Sequence, residues 1–286
     1  DKSSVNIENF VFKPNLTQAE LLKREKYQKA QFSASVGTLD LININFDSLF
    51  YKRKLFVEEV KIDKVDVSLF KDKSKPVDRK KFPEYIGQQI ASIPMPVAVK
   101  KVSISAVSLI NTEKREDGKI PRVSVGRGKL TARNVTYMDK NGTLKVYASA
   151  FIENKVLVNL AALYSYSRPQ ISLDVRTGKF NLLDLNQLLK AYTPAKISKG
   201  IVDGITLTGN VYRTSASGTM KFLYHDLSID LKLTDKNWQN SVVGFAANTY
   251  LSTNNPPSAG IPAKVVKYKV ERDMNKGGFN IILKSF

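Results

Sequence analysis

The chain carries one histidine, His225, and no cysteine. His225 stands between Tyr224 and Asp226, a run that invites a triad. Neighbouring residues on an extended strand point to opposite faces, so His225 and Asp226 do not meet side by side. His225 therefore reads as a structural or surface residue. With one imidazole and no thiolate, a transition-metal site would rest on carboxylates almost alone. The chain contains neither D-x-D-x-D-G nor H-E-x-x-H. Gly126-Arg127-Gly128-Lys129 pairs glycines with cations but lacks the G-x-x-x-x-G-K-[ST] spacing that cradles phosphate, so it reads as a bulge or turn inside a strand. Glu58-Glu59 and Glu116-Asp117 are carboxylate pairs with nothing to hold them at a catalytic separation. An enzyme would need a pocket where carboxylates converge, such as one near Asp203 and Asp226. The reading is of a non-enzymatic chain, with no catalytic residue, no metal and no cofactor.

The elements that would position any site are strands. Leu227, Ile229, Leu231 and Leu233 alternate with polar residues, as do Ile171, Leu173 and Val175. Period-two alternation turns one apolar face to a core or ligand and one polar face to water. Further strands are expected at 5–12, 33–44, 57–70, 97–110, 123–132, 144–151, 155–164, 205–212, 218–224, 242–251, 265–271 and 278–284. The fold class is therefore mainly β, built of antiparallel strands, with two or three short helices. Thr17-Gln-Ala-Glu20 is a capping box opening a polar helix to about Gln31. A second helix is expected over Phe82–Ile93. A third, over Asn181–Tyr192, carries Leu182, Leu185, Leu188, Leu189 and Tyr192 on one face and stops at Pro194.

One internal similarity matters. Val60-Lys-Ile62-Asp-Lys-Val65-Asp-Val67 matches Val102-Ser-Ile104-Ser-Ala-Val107-Ser-Leu109 as V-x-I-x-x-V-x-[VL]. The doubled x would send the two halves of each strand to opposite faces unless an extra residue is absorbed. A bulge or strand bend is expected at Asp63-Lys64 and at Ser105-Ala106.

The formal net charge is +19 at pH 7, mostly lysine and dispersed along the chain. Such a field favours anionic partners. Nucleic-acid readers concentrate arginine with stacking aromatics, a pattern absent here, which leaves a solvated surface or an anionic membrane. No stretch approaches the roughly 18–20 apolar residues of a membrane span. The opening Asp1-Lys2-Ser3-Ser4 and the closing Ile281-Ile282-Leu283 read as cuts from a longer chain, so a leader or anchor is expected beyond them.

The last hundred residues are more specific. Phe180-Asn-Leu-Leu-Asp-Leu-Asn-Gln-Leu-Leu189 precedes Ile197-Ser-Lys-Gly200-Ile-Val-Asp203-Gly-Ile205, then Ala216-Ser-Gly218-Thr-Met220-Lys-Phe222-Leu-Tyr224-His-Asp226-Leu227. This succession resembles the C-terminal region of the AsmA-like family of bacterial envelope proteins, related to bridge-like lipid-transfer proteins. The resemblance covers 180–286 most strongly and departs from the family pattern at Ile281-Ile282. It implies one elongated domain over 1–286, a twisted antiparallel sheet curled into a groove. It also implies a periplasmic, inner-membrane-anchored protein that handles phospholipid or other acyl lipid in outer-membrane homeostasis. The residues expected to line the groove are Val60, Ile62, Val65, Val67, Val102, Ile104, Val107, Leu109, Leu227, Ile229 and Leu231. The competing expectation is a structural envelope module with a closed core that docks a protein partner.

Overall fold

A computed structural model describes residues 3–84, 92–136, 138–168, 170–188, 195–231 and 252–276. Twelve strands form one sheet: β1 (Ser4–Phe12), β2 (Ala30–Ile44), β3 (Leu55–Asp72), β4 (Val97–Lys114), β5 (Arg122–Thr136), β6 (Thr143–Ile152), β7 (Val156–Ser165), β8 (Gln170–Thr177), β9 (Phe180–Asn181), β10 (Ala195–Val211), β11 (Ser215–Leu231) and β12 (Val265–Glu271). The sheet runs in chain order, with the short β9 off the path beside β10. Off the sheet, the described residues contain α1 (Gln18–Arg24), α2 (Phe46–Lys52) and a 3-10 turn (Leu182–Leu185) that leads into helical residues 186–188.

The expected strands within these residues are present, and 218–224 and 227–231 are one strand bent at Asp226. Those at 242–251 and 278–284 lie outside the described residues. The sheet is not wholly antiparallel. β3 and β4 pair in parallel, and the two copies of the repeated motif lie side by side: Val60 opposite Val102, Ile62 opposite Ile104, Val65 opposite Val107 and Val67 opposite Leu109. A parallel pair needs a long crossover, which residues 73–96 provide. The alternation that predicts a strand says nothing about its direction, which is why sequence patterning missed this pair.

The helices depart further from expectation. The Thr17–Glu20 capping box forms, with Thr17 N–H donating to Glu20 Oε2 at 2.7 Å and Glu20 N–H to Thr17 Oγ1 at 3.3 Å. The helix nevertheless ends at Arg24, because the β3–β4 crossover captures the chain beyond it. Gln28 N–H donates to Pro76 O at 2.9 Å, and Lys75 Nζ donates to the carbonyls of Leu22 and Glu25. Over 181–192, β9 and the 3-10 turn replace the first turn of the expected helix, residues 186–188 are helical as expected, and 189–194 lie outside the described residues. Residues 82–84 and 92–93 are not helical, and 85–91 fall outside. α2 was not anticipated; its seven residues are too few to register a 3.6-residue period.

The long strands stay in phase through bulges aligned across the sheet. One line passes through Asn9 (φ 54°), Gly37, Asp63-Lys64, Ser105-Ala106 and Arg127 (φ 50°). The expected bulges at Asp63-Lys64 and Ser105-Ala106 lie on it. A second passes through Asn43 (φ 55°), Glu58, Lys100 and Asn134 (φ 59°). Asparagine tolerates the left-handed region better than most side chains, so mid-strand Asn marks these positions. The backbone groups that the bulges leave unpaired find other partners. Thr38 N–H donates to Asp63 Oδ1 at 2.6 Å, and Ser105 Oγ donates to Asp63 O at 2.7 Å. Tyr166 Oη donates to Asn134 O at 2.6 Å and accepts from Thr136 N–H at 3.0 Å.

The sheet departs far from a plane. Arg272 Nη2 donates to Pro83 O at 2.9 Å, and Asn275 Nδ2 to Arg79 O and Lys81 O at 3.0 and 3.1 Å. The end of β12 thus touches the β3–β4 crossover. Lys71, at the end of β3, is itself within electrostatic reach of Asp273 and Lys276, whereas a flat sheet would hold β3 and β12, eight positions apart in the strand order, about 38 Å from each other. Right-handed twist of about 20–25° per strand and the added twist at each bulge supply the curvature.

Glycine is required where β8, β10, β11 and β12 meet. Gly209 lies opposite Gly218, and Tyr268 crosses both. A Cβ on Gly218 would sit 2.8 Å from Tyr268 Oη and 2.6 Å from Gly209 Cα. Gly209→Val should therefore destabilise the fold by about 3 kcal/mol in denaturant titration. Gly178→Ala, whose Cβ meets only Leu157 Cβ at an ordinary 3.7 Å, should leave the midpoint unchanged or slightly raised.

Candidate functional site

Cross-strand partners share a face, so the pairing registers assemble rows of side chains running across the sheet. One row reads Ile7, Leu39, Ile62, Ile104, Leu130, Ala148, Leu160, Val175, Leu207, Met220 and Val266. It crosses every strand but β9 and contains no polar residue. Its neighbour reads Val5, Leu41, Val60, Val102, Ala132, Val146, Ala162, Leu173, Gly209, Gly218 and Tyr268. Beyond the first bulge line the apolar set continues on the same face, as Val36, Val65 and Val107, then Ala34, Val67, Leu109, Val125 and Ile152.

The eight residues expected from the doubled motif therefore share one face. Without the bulge, Val65 and Val67 would face away from Val60 and Ile62. All eight are half-buried. Leu227 is buried, but in a separate cluster with Val202, Phe180 and Leu182, where the 3-10 turn packs on β10. Ile229 and Leu231 pair along the backbone with Ile197 and Ala195, and their side chains lie outside the described residues.

Burial along this face is graded. Toward β10 and β11 it is complete: Leu207, Val211 and Ala216 are 0% exposed and form one cluster with Leu144, Tyr164, Ile171 and Val175. Toward the edge strand β1 it opens, and Ile7, Phe10 and Phe12 are exposed, with Phe12 against Phe32 at 5.5 Å between ring centroids. Sequence patterning identified the face but not this gradient, which depends on how the strands curve.

The opposite face is polar. A representative row reads Asn6, Asp40, Lys61, Ser103, Thr131, Tyr147, Ala161, Asp174, Thr208, Thr219 and Lys267. A depression of about 540 Å³ lies on it between Lys129, Tyr147, Asn159 and Arg176. It has no free guanidinium to offer an anion, because Arg176 grips Asp174 with Nε and Nη2, both at 2.9 Å.

Candidate chemistry elsewhere resolves into structural pairs. Glu58 and Glu59 diverge. Glu58 Oε2 accepts from Asn43 Nδ2 at 2.8 Å, and Glu59 Oε1 lies 2.7 Å from Lys101 Nζ. The hydrogen bond from Asn43 holds the Glu58 carboxyl below its usual range, and the one from Lys101 does the same for Glu59. His225 does not pair with Asp226, as strand geometry requires. Asp226 adopts φ 58° and lies 3.6 Å from Lys199. Asp203 fills the role instead: its Oδ2 is 2.8 Å from His225 Nδ1 and its Oδ1 is 3.1 Å from Lys179 Nζ. Adjacency in sequence gave no signal for this cross-strand pair. No group of three or more His, Cys, Asp or Glu side chains fit to hold a metal occurs among the described residues.

No protein-family model matches the chain, and no curated protein is similar enough to it to serve as a relative.

The Lys179–Asp203–His225 cluster is solvent-exposed, with the Asp203 side chain at 39%. The hydrogen bonds from His225 and then Lys179 lower the Asp203 pKa. A depressed carboxylate contributes stability that is present above its unfolded value, about 3.9, and lost as pH falls through the folded value. Asp203→Asn should therefore cost less than about 1 kcal/mol at neutral pH, after screening by solvent. The difference from wild type should shrink as pH falls below about 3.9, as measured by denaturant titration at each pH.

Proposed function

We propose that this chain is a non-enzymatic lipid-binding scaffold of the bacterial envelope, AsmA-like, whose curled sheet carries acyl chains along its apolar face. The observation that supports it best is the unbroken apolar row from Ile7 to Val266. Eleven strands at about 4.8 Å spacing make it about 48 Å long. That exceeds the roughly 30 Å hydrocarbon core of a bilayer, enough length for a path rather than a single pocket. Each acyl CH₂ left in water costs about 0.8 kcal/mol, so a 16-carbon chain costs on the order of 13 kcal/mol. A continuous apolar trough lowers that barrier at every point along the way.

The bulge lines and the contact of β12 with the β3–β4 crossover support a groove rather than a plane. The basic net charge suits anionic headgroups held at the groove's rim, and an anionic membrane surface as a partner. Nucleic acid is not proposed as a partner. The periplasmic location and the part in outer-membrane lipid homeostasis rest on the family resemblance, as does an inner-membrane anchor in the full-length protein.

One observation favours a second reading. The zero exposure of Leu207, Val211 and Ala216 is what a sealed core gives, and such a core suits an envelope module that docks a protein partner.

Ile62→Glu and Ile104→Glu separate the two. They sit opposite each other in the half-buried part of the face. If the face takes lipid, both should reduce uptake of a fluorescent phospholipid by about tenfold or more, since a buried carboxylate is costly beside an acyl chain. The unfolding transition should stay near wild type, and Tyr147→Glu on the polar face should change nothing. Native mass spectrometry of protein purified from cells should find bound phospholipid. Protein that carries no lipid and takes none up would sink the proposal, and unfolding of both Glu variants would favour the sealed core.

A further inference from the structure

The two most exposed large apolar side chains among the described residues are neighbours. Phe50 is 72% exposed and Tyr51 84%. They lie in the last turn of α2, which ends at Lys52, and Arg53 and Lys54 follow immediately. These three cations are exposed, and no ion pair among the described residues engages them. The acidic residues nearest in sequence are Asp47, in the first turn of α2, and Glu58, already held by Asn43 and Lys100.

The tip is built rather than loose. Asn45 caps α2, its Oδ1 accepting from Ser48 N–H at 2.8 Å. Arg53 turns the chain at φ 49°, its N–H donating to Ser48 O, and Lys54 N–H donates to the same carbonyl at 3.0 Å. Phe50 stacks on Phe46 at 5.9 Å and 17° between rings, and Phe46 packs on the cluster of Ile44, Val57 and Val99. Ile44, Val57, Val99 and Val135 are partners in register, so the tip stands at one end of the apolar face. Packing gives no reason to hold two aromatics in water beside three unneutralised cations. An interface that takes aromatic rings at headgroup depth and cations against acidic headgroups does.

We infer that the α2 tip docks this protein on an anionic lipid bilayer, with Phe50 and Tyr51 seated at headgroup depth and Lys52, Arg53 and Lys54 against acidic headgroups. The inference deepens the lipid-handling reading, because it sets the end of the apolar face against the membrane that would supply the chain. It uses none of the residues proposed to hold lipid.

The test is flotation with vesicles of phosphatidylcholine alone and of equimolar phosphatidylcholine and phosphatidylglycerol. Wild type should float with the mixed vesicles only, and less as salt rises. Each basic residue at such a surface strengthens binding about fivefold. The Lys52→Ser, Arg53→Ser, Lys54→Ser triple variant should therefore bind on the order of a hundredfold more weakly. Phe50→Ala with Tyr51→Ala should weaken binding while keeping the wild-type unfolding transition, since both side chains are exposed. Both variants should still take up a short-chain fluorescent phospholipid delivered from solution. Flotation equal to wild type in both variants overturns the tip inference and leaves lipid uptake standing. A triple variant that floats normally but no longer captures a protein partner also overturns it. Tip-dependent flotation by a protein that takes up no lipid supports the tip and overturns the lipid-handling reading instead.

Discussion

A strand's side chains alternate, so one extra residue in the pattern sends everything beyond it to the other face. Strands of 15 to 18 residues, such as β2 to β5, meet this constraint repeatedly. Val57, Val60, Ile62, Val65 and Val67 are spaced by three, two, three and two. Without relief, such a strand would place Val57, Val65 and Val67 on one face and Val60 and Ile62 on the other. The aligned bulges remove the surplus residue on neighbouring strands at the same level, so the registers stay constant and every strand contributes to one apolar face. The same bulges add twist, so the device that preserves the face also curves the sheet.

A sheet organised this way needs no second layer of strands. Curvature brings the C-terminal strands close enough for Leu207, Val211 and Ala216 to leave solvent, and it brings Arg272 to Pro83. At Gly209 and Gly218 the backbones lie bare, and Tyr268 covers them with its ring. A side chain larger than hydrogen at either position would displace it. The N-terminal strands are less enclosed, and their face ends at exposed Ile7, Phe10 and Phe12 on the edge strand.

The charges follow the same division. Acidic groups on the described strands are spent locally, as Asp63 is on Thr38 N–H, Glu59 on Lys101 and Asp203 on His225. Much of the positive excess stays free. Where it is concentrated beside exposed aromatics, at α2, it gains a direction that the dispersed lysines lack.

The sequence by itself determined the strands, the two-faced pattern and the need for bulges at Asp63-Lys64 and Ser105-Ala106, because alternation and its interruptions are local properties. It also determined that His225 and Asp226 could not be partners. Only the tertiary structure decided that the repeated motifs lie parallel, since a period of two has no direction. It alone paired Asp203 with His225, ended α1 against the β3–β4 crossover and set the gradient from sealed to open. Each of these depends on residues far apart in the chain, brought together by twist that accumulates strand by strand and leaves no mark on any one segment.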